Sequence, residues 1–255
     1  MEVISIANRK GGIGKTTLSV NLSYELSRKE KKVLMVDLDS QCDLTKIYSS
    51  GKKDTVFDLL QEKEEIEEVV AKVKKNLHLL PGSKDIVHLD KELKAEKLKQ
   101  KIEKIGKKLE LDYVVIDHPP QINEAALQGL VASDEVLVVV EPEAFCLSNL
   151  GDLLDELGEI KKEMNPGLHI LGMAINRVDR RRNLTERMID KIRNTFRGEV
   201  FATEISNDTA VPTSMREGLP VRELGWRSKT VSQFQRLIEE MEGRLNNGNE
   251  RSEVE

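Results

Sequence analysis

Residues 2–18 read EVISIANRKGGIGKTTL and combine a short β-branched run, a glycine-rich loop and the start of an apolar-periodic segment. The run at 2–7 has the composition of a buried strand. Leu18, Leu22 and Leu26 recur every four residues, as in a helix that faces a core. Between a strand and a helix, glycines let successive backbone N–H groups turn toward a phosphate. The stretch therefore predicts a strand, a phosphate-binding loop and a helix.

Two lysines five positions apart, Lys10 and Lys15, flank the glycines of this loop. In the usual P-loop pattern, Lys15 reaches the β- and γ-phosphates of a nucleoside triphosphate, and Thr16 offers its hydroxyl to Mg²⁺. That pattern requires a glycine where this chain has Arg9, and here the loop carries the extra lysine Lys10 instead. The alternative is a glycine turn with two solvated lysines, and the agreement of strand, spacing and helix argues against it.

The composition fits one α/β domain, assigned to residues 1–245, and a polar, acidic tail at 246–255 that we expect to be disordered. The longest apolar runs are far shorter than the roughly 20 residues that cross a bilayer, and the N-terminus does not resemble a signal peptide. We therefore expect a cytoplasmic protein without a membrane partner. Cys42 and Cys146 form no Cys-x-x-Cys pair and are interpreted as packing residues.

Nearly continuous apolar runs alternate with helical segments along the chain. Strands are predicted at 2–7, 33–37, 113–117, 136–140 and 170–175, and helices at 18–30, 85–110, 123–132, 146–164, 184–196 and 229–246. Such runs are typical of parallel strands covered on both faces. The order predicts an α/β, doubly wound, mostly parallel sheet with helices on both faces.

The segment at residues 62–75 alternates acidic and basic side chains around an apolar stripe. This pattern predicts a solvated surface helix, with contact to a partner as the alternative.

Three aspartates follow apolar runs at the predicted strand ends. Asp37 and Asp39 close one strand with their side chains on the same side, and Asp117 closes another. Ligands of doubly wound sheets bind at the carboxyl ends of the strands. Carboxylates near a phosphate loop repel the nucleotide unless a cation lies between them, so the same residues indicate Mg²⁺. One acid can orient the metal's waters while another positions the attacking water.

The sequence resembles a known family at several segments. Residues 10–17 resemble the deviant Walker A box of the ParA/MinD ATPases, Lys-Gly-Gly-x-Gly-Lys-Thr-Thr. Residues 33–41 are similar to the family's Val-Leu-x-Ile-Asp-x-Asp-Pro-Gln box, and residues 112–120 to its Walker B segment. Shorter similar segments follow in the family's order, at 133–138, 141–145, 176–180 and 218–221. The chain therefore resembles the ParA/Soj partition ATPases from residue 3 to about 240.

This resemblance implies a P-loop ATPase that uses ATP and Mg²⁺, has weak intrinsic activity and forms an ATP-sandwiched homodimer. Asp39 would activate the hydrolytic water, Lys10 would reach the partner subunit's nucleotide, and Asn176 would read the adenine amino group. The implied catalytic residues are Lys10, Lys15 and Asp39, and the implied metal residues are Thr16, Asp37 and Asp117. The implied nucleotide-binding residues are Lys10, Gly11, Gly12, Gly14, Lys15, Thr16, Thr17, Asn176, Ser206 and Asp208.

A basic surface is predicted in the second half of the chain. Residues 177–236 carry 13 Lys/Arg against 8 Asp/Glu, a balance of +5 in a chain of net charge −5. The resemblance implies non-specific binding of duplex DNA through two arginines, of which one corresponds to Arg181 while the other position holds Ala210. The predicted DNA-binding residues are Arg181, Arg182, Arg216, Arg222 and Arg227. A solvated turn at 180–182 is the alternative.

The leading functional hypothesis is an ATPase that partitions a chromosome or plasmid, associates with the nucleoid, and is stimulated by a ParB-like adaptor. One alternative is a ParA-like ATPase that positions a non-DNA cargo. A MinD-like membrane-cycling ATPase needs a basic, apolar C-terminal helix, whereas this C-terminus is rich in glutamate. A nitrogenase-reductase-like or iron–sulfur carrier ATPase needs paired cysteines, which this chain lacks.

Overall fold

The computed structural model describes residues 1–48, 54–62, 66–90 and 93–252. The strands are β1 (Glu2–Ala7), β2 (Val33–Asp37), β3 (Ala71–Lys74), β4 (Leu77–Leu80), β5 (Tyr113–Asp117), β6 (Glu135–Val140), β7 (His169–Val178) and β8 (Val200–Ser206). The helices are α1 (Lys15–Arg28), α2 (Asp43–Tyr48), α3 (Val56–Leu60), α4 (Ile66–Val69), α5 (Lys97–Leu109), α6 (Glu124–Ala132), α7 (Cys146–Glu163), α8 (Asn183–Thr195), α9 (Ala210–Arg216) and α10 (Lys229–Ser252).

All eight strands form one sheet in the order β3-β4-β2-β5-β1-β6-β7-β8. Neighbouring strands are parallel except β3 and β4, which pair antiparallel at one edge. The predicted α/β, doubly wound and mostly parallel fold is thus confirmed. In the parallel register Asp37 of β2 lies opposite Asp117 of β5, and Asp117 lies opposite Ile6 of β1. The ends of β1, β2 and β5 therefore meet at one edge of the sheet.

Alternate residues of each strand enter hydrophobic cores on opposite faces of the sheet. Val33 and Met35 of β2 pack in the core that contains α1 and α10, while Leu34 and Val36 pack in the core that contains α5. A third core, on the same face as α5, joins β6 and β7 to α7 and α8. Both faces of the sheet are buried beneath helices, which explains why the strands read as continuous apolar runs rather than as alternating apolar and polar residues.

The segment predicted as a surface helix at 62–75 is mostly not helical, so that prediction was wrong. One turn of helix, α4, is followed by the strand β3, and residues 63–65 lie outside the described chain. In β3 the buried Ala71 is followed by the exposed Lys72, a period of two. Pairing of β3 with β4 at the sheet edge outweighs the charge pattern on which the prediction rested.

Three further differences concern the number and the bounds of the predicted elements. The single helix predicted at 85–110 is a 3-10 turn at Lys84–His88 and, separately, α5. Strands β4 and β8 are additional to the predicted set. The last helix continues through Ser252, where a disordered tail was expected from 246, and residues 253–255 lie outside the described chain. No helix in the described part of the chain is long and apolar enough to cross a membrane.

Candidate nucleotide site

An open cleft of about 850 Å³ lies at the carboxyl edge of β1, β2 and β5, where the sequence predicts the site. Its size lies within the range of typical small-molecule sites. The residues that line it come from the glycine loop, the start of α1, and the segments that follow β2, β4, β5 and β8. They are Gly11, Gly12, Gly14, Lys15, Thr16, Thr17, Asp39, Ser40, Gln41, Asp43, Lys46, Ile47, Val87, Pro119, Pro120, Gln121, Asn123, Pro212, Met215, Arg216 and Gly218.

The glycine loop adopts a backbone conformation that its glycines permit. Gly12 has φ 74° and Gly14 has φ 95°, a region that side chains with a Cβ rarely enter. Gly14 also caps α1, and it offers no side chain to the first N–H groups of that helix. These N–H groups have no acceptor within the helix. An anion in the cleft can therefore accept hydrogen bonds from them and is favoured by the helix dipole.

Two side chains from β7 donate hydrogen bonds to carbonyl oxygens of the glycine loop. Asn176 is buried and its Nδ2 donates to the Ile13 carbonyl oxygen at 2.7 Å. Arg177 donates to the Gly12 carbonyl oxygen at 2.7 Å. A side chain at Gly14 would collide with the Asn176 amide. Asn176 is thus packed beneath the loop and is not among the residues that line the cleft, so its predicted role in reading adenine receives no support from this arrangement.

Lys15 lies at the base of the cleft with little solvent exposure. Its Nζ donates to the Lys10 carbonyl oxygen at 3.2 Å. Burial lowers the pKa of Lys15, while the negative charges of Asp117 and Asp39 oppose that decrease. An ammonium held in this way is a charge that phosphate oxygens can pair with once they enter the cleft.

Asp39 follows β2 and lines the cleft, near enough to Lys15 to act on its pKa. The Gln41 backbone N–H donates to its Oδ1 at 2.9 Å, and its own N–H donates to Asp37 Oδ1 at 3.2 Å. These contacts hold the carboxylate in place. It retains acceptor capacity toward the cleft, which a group that positions an attacking water requires.

Asp117 is fully buried at the end of β5. Its Oδ1 accepts a hydrogen bond from Ser19 at 3.0 Å, and its Oδ2 has no partner within the described residues. Burial, with a smaller contribution from Asp37, raises its pKa to about 8, and Thr16, Ser19 and Lys15 act against that increase. Ser19 lies one helical turn after Thr16, and this spacing is the signal by which the sequence could have revealed it.

Asp117 does not itself line the cleft, but it lies next to Thr16, which does, and an Mg²⁺ ion fits there. The unpartnered Asp117 oxygen and the nearby Thr16 hydroxyl are oxygen donors of the kind that Mg²⁺ prefers. No group of three or more His, Cys, Asp or Glu side chains that could hold a metal occurs in the described part of the chain. Mg²⁺ keeps several waters and takes substrate phosphates as ligands, so a few protein oxygens are enough to hold it.

Asp37 has a different environment from the one that the sequence suggested. The Thr45 backbone N–H and hydroxyl donate to its Oδ2 at 2.9 and 2.6 Å, and the Asp39 N–H donates to Oδ1. The side chain is buried, does not line the cleft and has its pKa raised to about 6 by burial. These bonds tie Asp37 to Thr45 and to the Asp39 backbone, and neither of its oxygens lacks a partner as Asp117 Oδ2 does, so its predicted metal role receives no support from the geometry.

Lys10 points away from the cleft that its own loop forms. Its Nζ contacts Glu141 at 3.2 Å and also contacts Glu143, both in the segment after β6. Burial acts to lower the Lys10 pKa, but hydrogen bonds from Lys10 to the two carboxylates outweigh it and leave the pKa raised. The ammonium is partly exposed at the edge of the P-loop and is therefore separate from the phosphate cradle of its own subunit.

The predicted nucleotide-binding residues Ser206 and Asp208 do not line the cleft. Ser206 exchanges hydrogen bonds with Gln233, and Asp208 accepts one from Ser228 at 2.8 Å. Pro212 and Met215 of α9 line the cleft instead. Their apolar surface suits the face of a base, and the sequence contains no signal for them because no motif marks α9.

The arginines predicted to bind DNA differ in exposure and in their ion pairs. Arg181 and Arg182 are 86% and 71% exposed, and both contact Asp179. Arg216 is 76% exposed and contacts Glu217, and it also lines the cleft. Arg227 is exposed and has no ion pair within the described residues.

Arg222 differs from the other four. Its guanidinium makes a two-pronged pair with Glu25 of α1 at 2.6 and 3.0 Å and is 26% exposed. Glu25 is itself buried, so this pair fastens the segment after α9 to the body of the protein. The predicted contact of Arg222 with DNA receives no support from this geometry.

The comparisons with known proteins agree with this site. A family model described as an AAA domain (AAA_31) matches residues 1–170. The chromosome-partitioning ATPase Soj of Thermus thermophilus is 32% identical over 95% of this chain and 96% of its own length. The sporulation initiation inhibitor protein Soj of Bacillus subtilis is 30% identical over 94% and 98%. The crystal structure of the Pyrococcus furiosus cell division ATPase MinD has a TM-score of 0.77 and 29% identity, over 95% of this chain and 98% of that one.

A doubly wound sheet with a phosphate loop between β1 and α1, and with aspartates at the ends of β2 and β5, defines the class of P-loop nucleotide-binding ATPases of the ParA/MinD type. Within that class, the matched domain and the two Soj relatives show that the chain belongs to the ParA/Soj family.

Proposed function

We propose that this protein is an Mg²⁺-dependent ATPase that segregates DNA, and that it cycles between an ATP-bound dimer on DNA and a released form. The observation that carries the proposal is the cleft, which is lined by the glycine loop, Lys15 and Asp39, has the unpartnered oxygen of the buried Asp117 next to Thr16, and has a volume that suits a nucleotide. The name of the Thermus thermophilus relative, chromosome-partitioning ATPase Soj, supports partition as the purpose of the ATPase.

The proposed chemistry assigns one task to each side chain. The loop N–H groups and Lys15 bind the phosphates, and Asp39 orients the water that attacks the γ-phosphate. Thr16 and Asp117 would hold Mg²⁺, which neutralises charge on the β- and γ-phosphates when it is bound. Phosphoryl transfer needs mainly positioning and electrostatic stabilisation, and these fixed groups provide both. Weak turnover is expected until an adaptor completes the site.

A homodimer around two ATP molecules follows from the position of Lys10. Its ammonium lies outside its own cleft and at an exposed edge, where a second subunit can approach. Two nucleotides placed face to face need additional positive charge between their phosphates. We therefore assign Lys10 to the partner subunit's nucleotide.

Duplex DNA is the proposed ligand of the dimer, through Arg181, Arg182, Arg216 and Arg227. Contacts from arginine to phosphate do not depend on sequence, and two subunits acting together raise the effective concentration of the second contact. Dimerisation by ATP therefore controls DNA binding. A ParB-like adaptor that stimulates hydrolysis would release the protein from the nucleoid.

A non-DNA cargo is the second candidate function, and a specific observation favours it. Ala210, at the position of a family DNA-binding arginine, is buried, and most of the neighbouring arginines are paired with carboxylates of the same chain. If the cargo is not DNA, the ATP cycle is the same, but the surface exposed by the ATP-bound dimer binds a partner other than DNA. A MinD-like membrane cycle is disfavoured because the C-terminal segment of α10 carries glutamates rather than a basic, apolar face.

One experiment tests the leading proposal. The Asp39→Ala variant with ATP and Mg²⁺ should bind several unrelated duplexes with equal affinity, and the same variant without nucleotide should bind far more weakly. Fluorescence anisotropy at low ionic strength measures both affinities. If the ATP-bound variant is dimeric by light scattering and binds no duplex, DNA partition is wrong and the non-DNA cargo takes its place.

A further inference from the structure

Helix α5 carries the greatest positive charge of the helices in the described part of the chain, although the sequence analysis gave it no function. Six of its thirteen residues are lysine and one is glutamate, so its net charge is +5. The whole chain has a net charge of −5, so the remaining residues together carry −10. The same balance of +5 is spread over sixty residues in the predicted DNA-binding region at 177–236.

The lysines of α5 share the outer side of the helix. Leu98, Ile102 and Ile105 face inward and are buried in the core against β2 and β5. The lysines at positions 97, 101, 104 and 108 are spaced by four, three and four residues, so they follow one another along one flank. Eleven residues of α-helix rise by about 16 Å, so this lysine row has a length of about 16 Å.

The carboxylates around α5 leave most of this charge uncompensated. Lys97 contacts Glu62 at 3.3 Å, whereas Lys99, Lys101, Lys104 and Lys107 have no ion pair with any residue that the structure describes.

Four of the five predicted DNA-binding arginines differ in this respect. Arg181 and Arg182 share Asp179, Arg216 contacts Glu217, and Arg222 contacts the buried Glu25. A phosphate that approaches the four α5 lysines without an ion pair does not have to displace a carboxylate, whereas one that approaches these four arginines does.

We propose that the outer face of α5 is a second binding surface for the phosphate backbone of duplex DNA. This inference rests on the proposed DNA function and extends it to a part of the molecule that the family resemblance did not indicate. Lysine ammonium groups bind phosphates as point charges without reading the bases, which suits binding that ignores sequence.

The burial of the apolar residues of α5 favours DNA over a membrane as the ligand. Leu98, Ile102 and Ile105 are buried in the core and Leu109 packs against it, so the apolar side chains of α5 are not available to enter a lipid interface. Attraction to a membrane would then depend on charge alone. Stable membrane binding normally takes two anchoring signals, and charge is only one of them.

The proposed surface is separate from the arginines near residue 181. Helix α5 packs over β2 and β5, whereas the turn at 180–182 follows β7. In the sheet order β1 and β6 lie between β5 and β7, so the two elements are about three strand spacings, or roughly 14 Å, apart. Substitutions in α5 can therefore remove its contacts and leave those of the arginines in place.

The test compares two double variants in the Asp39→Ala background with ATP and Mg²⁺. Lys104→Gln with Lys107→Gln removes two exposed charges of α5, and glutamine preserves the helix propensity of lysine. Lys72→Gln with Lys162→Gln is the matched control, because it removes two exposed charges from β3 and α7. The affinity for one random-sequence duplex is measured over a series of salt concentrations.

Each phosphate contact that is lost lowers the slope of log affinity against log salt by about 0.9, so the α5 variant should lose about 1.8 for each subunit whose α5 contacts the duplex, while the control keeps the slope of the Asp39→Ala parent. Light scattering should show the same ATP-dependent dimer for all three proteins. Equal slopes for the α5 variant and the parent would overturn the inference, and the DNA function would stand because the parent still binds.

A different experimental outcome would show that the proposed DNA function itself is wrong. If the parent Asp39→Ala protein binds no duplex, both the DNA function and the α5 inference are wrong. Vesicles of equal parts phosphatidylcholine and phosphatidylglycerol are the second probe. Binding to them that requires Lys104 and Lys107, without any effect of these lysines on duplex affinity, would assign α5 to a lipid surface and overturn the DNA assignment.

Discussion

At the scale of single residues, the site separates groups that bind phosphate from groups that act on water. Lys15 is buried where it lines the cleft, and the charge of Asp39, which lines the same cleft, acts on it. Asp37, which the sequence grouped with Asp39, has its two oxygens occupied by Thr45 and by the Asp39 backbone. Of this pair of aspartates, only Asp39 lines the cleft, so the two should respond differently to substitution.

Substitutions at Lys15 and Asp39 should therefore differ in kind. Lys15→Ala removes a charge-assisted contact to phosphate, and we expect a loss of ATP affinity on the order of tenfold to a hundredfold, since such contacts contribute about 1.5–3 kcal/mol. Asp39→Ala leaves the cradle intact, so ATP affinity should stay within about threefold of wild type while hydrolysis is lost. Isothermal titration and phosphate release measure the two quantities. Turnover at the wild-type rate in Asp39→Ala would remove Asp39 from its role.

The contacts of Lys10 with Glu141 and Glu143 must break before Lys10 can reach another subunit. Exposed ion pairs contribute about 0.2–1 kcal/mol each, and a symmetric dimer releases one such cluster from each subunit. Glu143→Gln should therefore tighten the ATP dimer, with a dissociation constant about threefold to tenfold lower. Light scattering against protein concentration, in the Asp39→Ala background, provides the measurement.

The matched control for Glu143→Gln is Asp152→Asn, which removes a carboxylate 3.8 Å from Arg9, the neighbour of Lys10 in the same loop. This variant should leave the dimer unchanged. In a Lys10→Ala background the effect of Glu143→Gln should vanish, because no ammonium remains to be released. A dimer weakened by Glu143→Gln would instead place Glu143 in a contact with the second subunit.

At the scale of elements, α10 is the helix that covers the end of the sheet farthest from β3. Phe234, Leu237 and Ile238 are buried in the core that also contains Phe201 of β8. In addition, Glu240 of α10 accepts hydrogen bonds from the Ala202 and Thr203 backbone N–H groups, which occupies donors of the edge strand β8. The helix therefore both closes the core and covers an exposed sheet edge.

Truncation of a buried α10 side chain should reduce stability without changing the cleft. Leu237→Ala should lower the free energy of unfolding by about 2–5 kcal/mol, because the lost burial adds to the cost of a cavity. The control is Gln235→Ala on the exposed face of the same helix, which should change it by less than about 0.5 kcal/mol. Urea denaturation followed by circular dichroism gives both values. Equal midpoints for the two variants would show that α10 does not contribute to the cooperative core.

At the scale of the whole molecule, ATP binding and DNA binding occur on different surfaces, and the proposed dimer joins them. Arg181 is 86% exposed and lies outside the cleft. We expect Arg181→Glu to weaken binding to unrelated duplexes equally and to leave turnover without DNA near the wild-type rate. Anisotropy on several duplexes and phosphate release measure these effects. A change in turnover of more than about threefold would place Arg181 in the nucleotide site.

Much of the fold and part of the site could be predicted from the sequence, because the signals are local. The strand, loop and helix at 2–18 follow from composition and spacing over a few residues. Continuous apolar runs at 33–37 and 113–117 required a sheet covered on both faces, and the parallel order then placed Asp39 and Asp117 at one edge. The strand at 71–74 was missed because edge pairing with β4, and not local pattern, makes it a strand.

The sequence by itself determined the α/β class, the phosphate loop and the family, since each depends on residues that are near one another in the chain. Tertiary structure alone decided what each polar side chain contacts. Lys10 meets carboxylates 131 and 133 positions away, and Asn176 meets a carbonyl 163 positions away. Pro212 and Met215 reach the cleft because β8 and α9 return the chain to it. Contacts over such separations depend on how the elements pack, and no local pattern encodes that packing.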